Sequence, residues 1–237
     1  MSPSYILAEN LPQNKTFYRD QHVWVCKSKG LKKNHTKRRD LENESCEQRM
    51  ELFLRAQVVE YEPCDKPESS PSNHLCRVRV RYPKGSTYAC HPHRLIPVYT
   101  SSSPAPHTTI IVSPETSEYR RLCVVHTLQS FLEIGCDYGV TVHRVHTQGL
   151  IPHVWGMDKS IESIAIARQN YPNLPFYCFD VLAPTEDWPA EIQPEVVAID
   201  INGNRELPAV QQCIQVVLER YQPRLIIVKS RALAQTL

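Results

Sequence analysis

The stretch Ser130-Phe131-Leu132-Glu133-Ile134-Gly135-Cys136-Asp137-Tyr138-Gly139 decides how this 237-residue chain is read. SFLEI has the apolar run of a buried strand, and two glycines follow within five residues of each other. Glycine is otherwise scarce, 7 of 237 residues, against a usual share of ~7%. A glycine pair at a strand end marks a sharp turn into a helix, where a ligand can lie against the main chain. The spacing is not the dinucleotide pattern GxGxxG, because no third glycine falls at the right step.

Working outward, four more short apolar runs follow: VWGM (154–157), FYCF (176–179), EVVAI (195–199) and RLIIV (224–228). Their starts lie 24, 22, 19 and 29 residues apart, the length that a strand, a helix and two short loops require. SIESIAIARQN (160–170) and RELPAVQQCIQVVLERY (205–221) read as helices, the second with Leu207, Val210, Ile214, Val217, Leu218 and Tyr221 on one face. Ser160 is placed to cap the first, and Gly149 to end a short helix after strand one. Alternating strands and helices predict an α/β fold with a Rossmann-like parallel sheet in the order 3-2-1-4-5, covered on both faces.

Such sheets bind ligands outside the carboxyl ends of their strands. Glu133 lies in strand one, and the next four strands end in Asp158, Asp180, Asp200 and Lys229. A pyrophosphate would be repelled by so many acids, whereas an adenosine with two free ribose hydroxyls and a cationic sulfonium suits them. Asp158 can accept from both hydroxyls, and Asp180 from the adenine amino group. Each acid also has a plainer reading, as a cap for the turn that follows it, and Lys229 one as a neutraliser of the acid cluster.

The front of the chain differs. Residues 1–100 carry 17 Lys+Arg against 11 Asp+Glu, while residues 101–237 carry 10 against 14. This suggests two units with different partners. HVWVC (22–26), LFLRAQVVEYE (52–62), CRVRVRYP (76–83), STYACHP (86–92) and RLIPVY (94–99) read as five short strands of a small antiparallel barrel, with a turn at Pro83–Gly85. The layout resembles SH3-like barrels of the Tudor, PWWP and myosin N-terminal type over residues 18–100. The Ser/Thr/Pro-rich segment 101–118 reads as a linker. The basic run 27–40 is a solvated loop, a phosphate-contacting segment or a nuclear-import signal. Trp24, Tyr61, Tyr82 and Tyr88 are core residues or an aromatic cage. Cys76, Cys90, His91 and His93 lack the CxxC pairs of a zinc site, so no metal is expected.

With 41% hydrophobic and 22% charged residues, the composition excludes collagen, coiled coil and wholesale disorder. No apolar run approaches a membrane span, no basic-then-apolar leader opens the chain, and nine cysteines show no framework spacing. These features fit an intracellular protein, cytoplasmic or nuclear.

FLEIGCDYG (131–139), WGMDKS (155–160), FYCFDVL (176–182), AIDINGN (198–204) and IIVKS (226–230) resemble the successive motifs of class I S-adenosylmethionine-dependent methyltransferases. The resemblance covers roughly residues 115–237, and the methyltransferase-like domain is set at 119–237. It implies S-adenosyl-L-methionine as cofactor, with Glu133, Gly135 and Gly139 at its methionine end, Asp158 at the ribose and Asp180 at the adenine. Cys136, Lys159 and Val181 are carried along on the same loops. Asp200 and Lys229 are the candidate catalytic residues, two of the four that ribosomal RNA 2′-O-methyltransferases use. The Asn-Pro-Pro-Tyr signature of amino-group methylation is absent.

The sequence departs from the family at Asp137, which replaces the usual middle glycine, and in stopping just after strand five. The family's later strands are missing, which predicts an exposed strand-five edge. That edge implies a fragment, a cover from the front domain, or a homodimer paired through it. The acceptor is unknown, with RNA and protein as candidates. The alternative is a non-catalytic scaffold whose barrel recognises RNA or a protein tail.

Overall fold

A computed structural model describes residues 3–11, 17–26, 53–61, 77–98, 108–183, 188–201 and 207–237. The basic run 27–40 and Cys76 lie outside the described residues, as does the strand-four loop beyond Ile201. The chain divides into two compact units, one of residues 1–11 and 101–237, the other of residues 12–100.

In chain order the strands are β1 (Ser4–Leu7), β2 (His22–Cys26), β3 (Phe53–Tyr61), β4 (Val78–Arg81), β5 (Thr87–Cys90), β6 (Leu95–Pro97), β7 (Thr109–Ser113), β8 (Ser130–Ile134), β9 (His153–Asp158), β10 (Phe176–Cys178), β11 (Val196–Ile199) and β12 (Leu225–Lys229). The helices are α1 (Thr116–His126), α2 (Val140–Gly149), α3 (Ile161–Asn170), α4 (Leu207–Tyr221) and α5 (Arg231–Ala234).

The larger unit is an α/β unit built on a seven-stranded sheet in the order β1-β7-β12-β11-β8-β9-β10, with every neighbouring pair parallel. The five expected strands are β8 to β12, in the expected relative order. Side chains alternate across the sheet as the period of two requires. Ile110, Val112, Leu132, Ile134, Val197, Ile199, Ile226 and Val228 form one core with Val210, Cys213, Ile214 and Val217 of α4. Ser160 caps α3, its hydroxyl accepting from the Ser163 N–H at 3.1 Å.

Two features of the sheet differ from expectation. The segment expected as a linker, 101–118, holds β7 and the first residues of α1. The expected free edge of strand five does not exist, because β12 pairs along its whole length with β7, and β7 with β1. A second copy therefore has no edge to pair with there, and the strands expected to be missing are replaced by two drawn from earlier in the chain. At the end of α2, the left-handed residue is Leu150 (φ 56°) rather than a glycine. Gly149 serves close packing instead, since a Cβ there would lie 3.1 Å from Ile151.

The smaller unit is a five-stranded antiparallel sheet in the order β5-β4-β3-β2-β6. The turn between β4 and β5 falls where Pro83 and Gly85 suggest it, with Gly85 at φ +88° and its N–H on the Tyr82 carbonyl. Val23, Val25, Ala56, Val58, Val78, Val80, Cys90 and Leu95 make its core, and Tyr61 and Tyr82 pack against it. Trp24 alternates to the other face, with the Arg55 guanidinium 4.6 Å from its ring. The four aromatics weighed as a cage therefore do not share a face. Cys90 is buried in the core, where its thiol donates to the Val78 carbonyl. Among the described residues, no group of three or more His, Cys, Asp or Glu is placed to hold a metal, and no helix is long and apolar enough to cross a membrane.

Candidate functional site

Strand order reverses at β8, which lies between β9 and β11. There the segment 135–139 is stitched to the ends of both neighbours. The N–H groups of Gly135 and Cys136 donate to the Met157 carbonyl at 2.8 and 3.0 Å, and the Asp200 N–H donates to the Ile134 carbonyl at 2.9 Å. The backbone turns through Gly135 (φ +77°), Asp137 (φ 46°) and Gly139 (φ +79°). Gly135 is obligatory because a Cβ there would run into the main-chain carbonyl of Asp200. Gly139 starts α2, and a Cβ on it would lie 2.6 Å from the Phe176 ring. Asp137 adopts the left-handed conformation without being glycine. Aspartate is among the few residues other than glycine that visit this region, and here its carboxylate also accepts from the Ser163 hydroxyl of α3 at 3.0 Å.

Above this loop lies a cavity of about 390 Å³. Glu133, Gly135, Cys136, Asp158, Lys159, Asp180, Val181, Asp200 and Lys229 all line it; Gly139 does not, being buried beneath Phe176. The acids thus converge on one crevice, and each also has local work. Asp158 accepts from the Asp137 N–H at 3.0 Å and from the Ser160 N–H at 2.9 Å. Asp180 accepts from the Leu182 N–H at 3.0 Å. Both Asp200 oxygens take Lys229 Nζ, at 3.2 and 3.0 Å. Cys136 contributes main chain more than chemistry: burial, then the charges of Glu133 and Asp158, push its thiol far above the usual range.

Glu133 is the least satisfied group in the crevice. It is 2% exposed, one oxygen takes the Tyr119 hydroxyl at 3.0 Å, and the other has no hydrogen-bond partner among the described residues. Burial, reinforced by the Asp200 charge, raises its carboxyl to about 8 against the pull of Tyr119, Thr141 and Arg120. Burial likewise lifts Asp200 despite Lys229 and Arg120. Arg120 lines the same cavity, and its buried Nε is also without a hydrogen-bond partner among the described residues.

Nothing in the local sequence marks Thr116, Tyr119, Arg120 and Thr141 as site residues. All but Thr141 lie on α1, whose first residues fall in the stretch with linker composition. The available signal is helical spacing: 116, 119, 120 and 123 fall on one face of a helix leading into the SFLEI strand. Asn202 to Asn204 lie outside the described residues.

No family model matches the chain, and no curated protein matches it. Among solved structures it is similar to SAM-bound CalS10 from Micromonospora echinaspora, described as an amino pentose methyltransferase (16% identity, 43% of this chain and 42% of that one, TM-score 0.34). It is also similar to the plantazolicin methyltransferase BpumL in complex with a pentazolic desmethylPZN analog and SAH (23% identity, 39% and 34% covered, TM-score 0.32). A third is a ribosomal protein L11 methylase from Lactobacillus delbrueckii subsp. bulgaricus (16% identity, 55% and 69% covered, TM-score 0.34). The chain spans 42% and 34% of the first two of these proteins.

Proposed function

We propose that the larger unit binds S-adenosylmethionine and transfers its methyl group to an acceptor, with RNA and protein as the candidate classes. One observation carries this reading. A single cavity holds a buried carboxyl oxygen and a buried guanidinium nitrogen, each without a partner among the described residues, beside a row of strand-end acids. A ligand bearing both an ammonium and a carboxylate, as an α-amino acid does, fits Glu133 and Arg120. Asp158 and Asp180 suit the ribose hydroxyls and the adenine amino group. The cofactor supplies an electrophilic methyl group on a sulfonium. The protein contributes alignment, exclusion of water and, for a hydroxyl acceptor, a base. Asp200 is the candidate base, with Lys229 holding its carboxylate.

The smaller unit supports the reading as an SH3-like barrel over residues 18–100, since its last strand returns beside its first in the order β6-β2-β3-β4-β5. A second reading, a cofactor-holding scaffold without turnover, is favoured by one contact. Both oxygens of Asp200 are engaged by the Lys229 ammonium, which stabilises the carboxylate and so weakens it as a proton acceptor.

Calorimetric titration with S-adenosylhomocysteine tests the site. Micromolar binding that weakens at least tenfold in Asp158→Asn is the expected result, and no binding to the wild-type protein refutes the proposal. Labelled-methyl transfer to fractionated RNA and protein separates the enzyme from the scaffold.

A further inference from the structure

The outer face of β4 carries a row of cations that the cavity chemistry does not use. Val78 and Val80 turn into the core, so Arg79 and Arg81 project to the other side, with Arg77 just before the strand and Lys84 in the turn after it. All four are exposed. Among the described residues of this unit there are seven Lys or Arg and only two acids, Asp20 and Glu60. Among the described residues Arg77 reaches only the Ala89 carbonyl, at 3.4 Å. Arg79 meets Glu60 at 3.7 Å with both side chains more than half exposed. Arg81 and Lys84 have no hydrogen-bond or ion-pair partner among the described residues. The flanking cross-strand positions are Ala89 and Thr87 on β5, and Gln57 and Glu60 on β3, so Glu60, opposite Arg79, is the one acid beside the row among the described residues.

We infer that this face of β4 binds the sugar–phosphate backbone of a single-stranded nucleic acid. The three arginines stand in line over roughly 13 Å of extended chain. Successive arginines are ~7 Å apart along the backbone, a repeated spacing that suits a chain of phosphates better than one small anion. Arginine at all three positions supplies the planar fork that phosphate oxygens accept. Isolated carboxylates on an acidic peptide gain almost nothing from ion pairs this exposed. A polyphosphate releases its condensed counterions and so makes an exposed basic row effective. The inference concerns the smaller unit alone and stands whether or not the cavity takes S-adenosylmethionine.

The test is fluorescence anisotropy of the full chain with labelled oligo(U) and oligo(dT) of about 12 nucleotides, titrated between about 50 and 200 mM salt. The triple change Arg77→Gln, Arg79→Gln, Arg81→Gln should lower the slope of log K against log salt by about 2, at ~0.7 per phosphate contact. Binding at low salt should weaken at least tenfold, while the all-lysine triple keeps the slope. Loss with oligo(U), oligo(dT) or both supports the inference and tells RNA from DNA. The inference is overturned by no wild-type binding to either probe, by an unchanged slope in the glutamine triple, or by equal losses in the glutamine and lysine triples. Displacement of the probe by polyglutamate of equal charge overturns it in favour of an acidic protein partner.

Discussion

Replacing Glu133 by glutamine should make the protein more stable and its cavity a poorer cofactor site. The native carboxyl titrates near 8 against an ordinary 4.5, chiefly because it is buried. Between those values the unfolded chain gives up a proton that the folded chain keeps. Stability therefore falls as pH rises through this window, by up to about 1.4 kcal/mol per unit, and levels off above it. At pH 7 the accumulated loss is roughly 3 kcal/mol. Glutamine keeps an acceptor for the Tyr119 hydroxyl and has no proton to lose, so it escapes this loss. Urea unfolding of both proteins at pH 5, 6, 7 and 8, followed by circular dichroism, measures the difference. It should be about 1 kcal/mol at pH 5 and grow to about 4 kcal/mol at pH 8 in favour of the variant. A difference independent of pH, or a wild-type advantage at pH 8, would show that Glu133 is ionised in the folded protein.

S-adenosylhomocysteine binding at pH 7 should release roughly one proton as its ammonium ionises Glu133, seen as a buffer-dependent heat that Glu133→Gln abolishes. Gly135→Ala should cost at least about 2 kcal/mol, because it combines positive φ with a collision against the Asp200 carbonyl; a thermal midpoint within a degree of wild type contradicts this. Asp137→Gly should be within about 1 kcal/mol of neutral, relief of the left-handed residue offsetting loss of the Ser163 bond, and a larger drop in urea midpoint contradicts it. Glu195→Ala should destabilise by about 2 kcal/mol. Its carboxylate accepts from the Leu128 and Gln129 N–H groups and pairs with Arg224 at 3.1 Å, so calorimetric unfolding should register the loss.

Strands β8 to β12, their relative order and the row of acids at their ends were written into local sequence. Each strand is a short apolar run bounded by turn residues, and the direction of a parallel sheet follows from helices between strands. Two strands were not legible. SYIL (4–7) is an edge half open to solvent, so no apolar run betrays it, and its partner Thr109–Ser113 lies about a hundred residues away. TIIVS (109–113) is apolar and fully buried, but it is embedded in a Ser/Thr/Pro-rich segment whose composition masks it.

The site divides the same way. Glu133, Asp158, Asp180 and Asp200 were visible because strand ends are local features. Tyr119 and Arg120 become site residues only when α1 packs on β7 and β12, which carries the Tyr119 hydroxyl to Glu133. Gly135 must be glycine because of a carbonyl 65 residues further on. Local periodicity therefore determined which segments are strands and where their charges fall. Tertiary folding alone decided which groups from distant segments meet in the crevice, and which of them are left without partners once water is excluded.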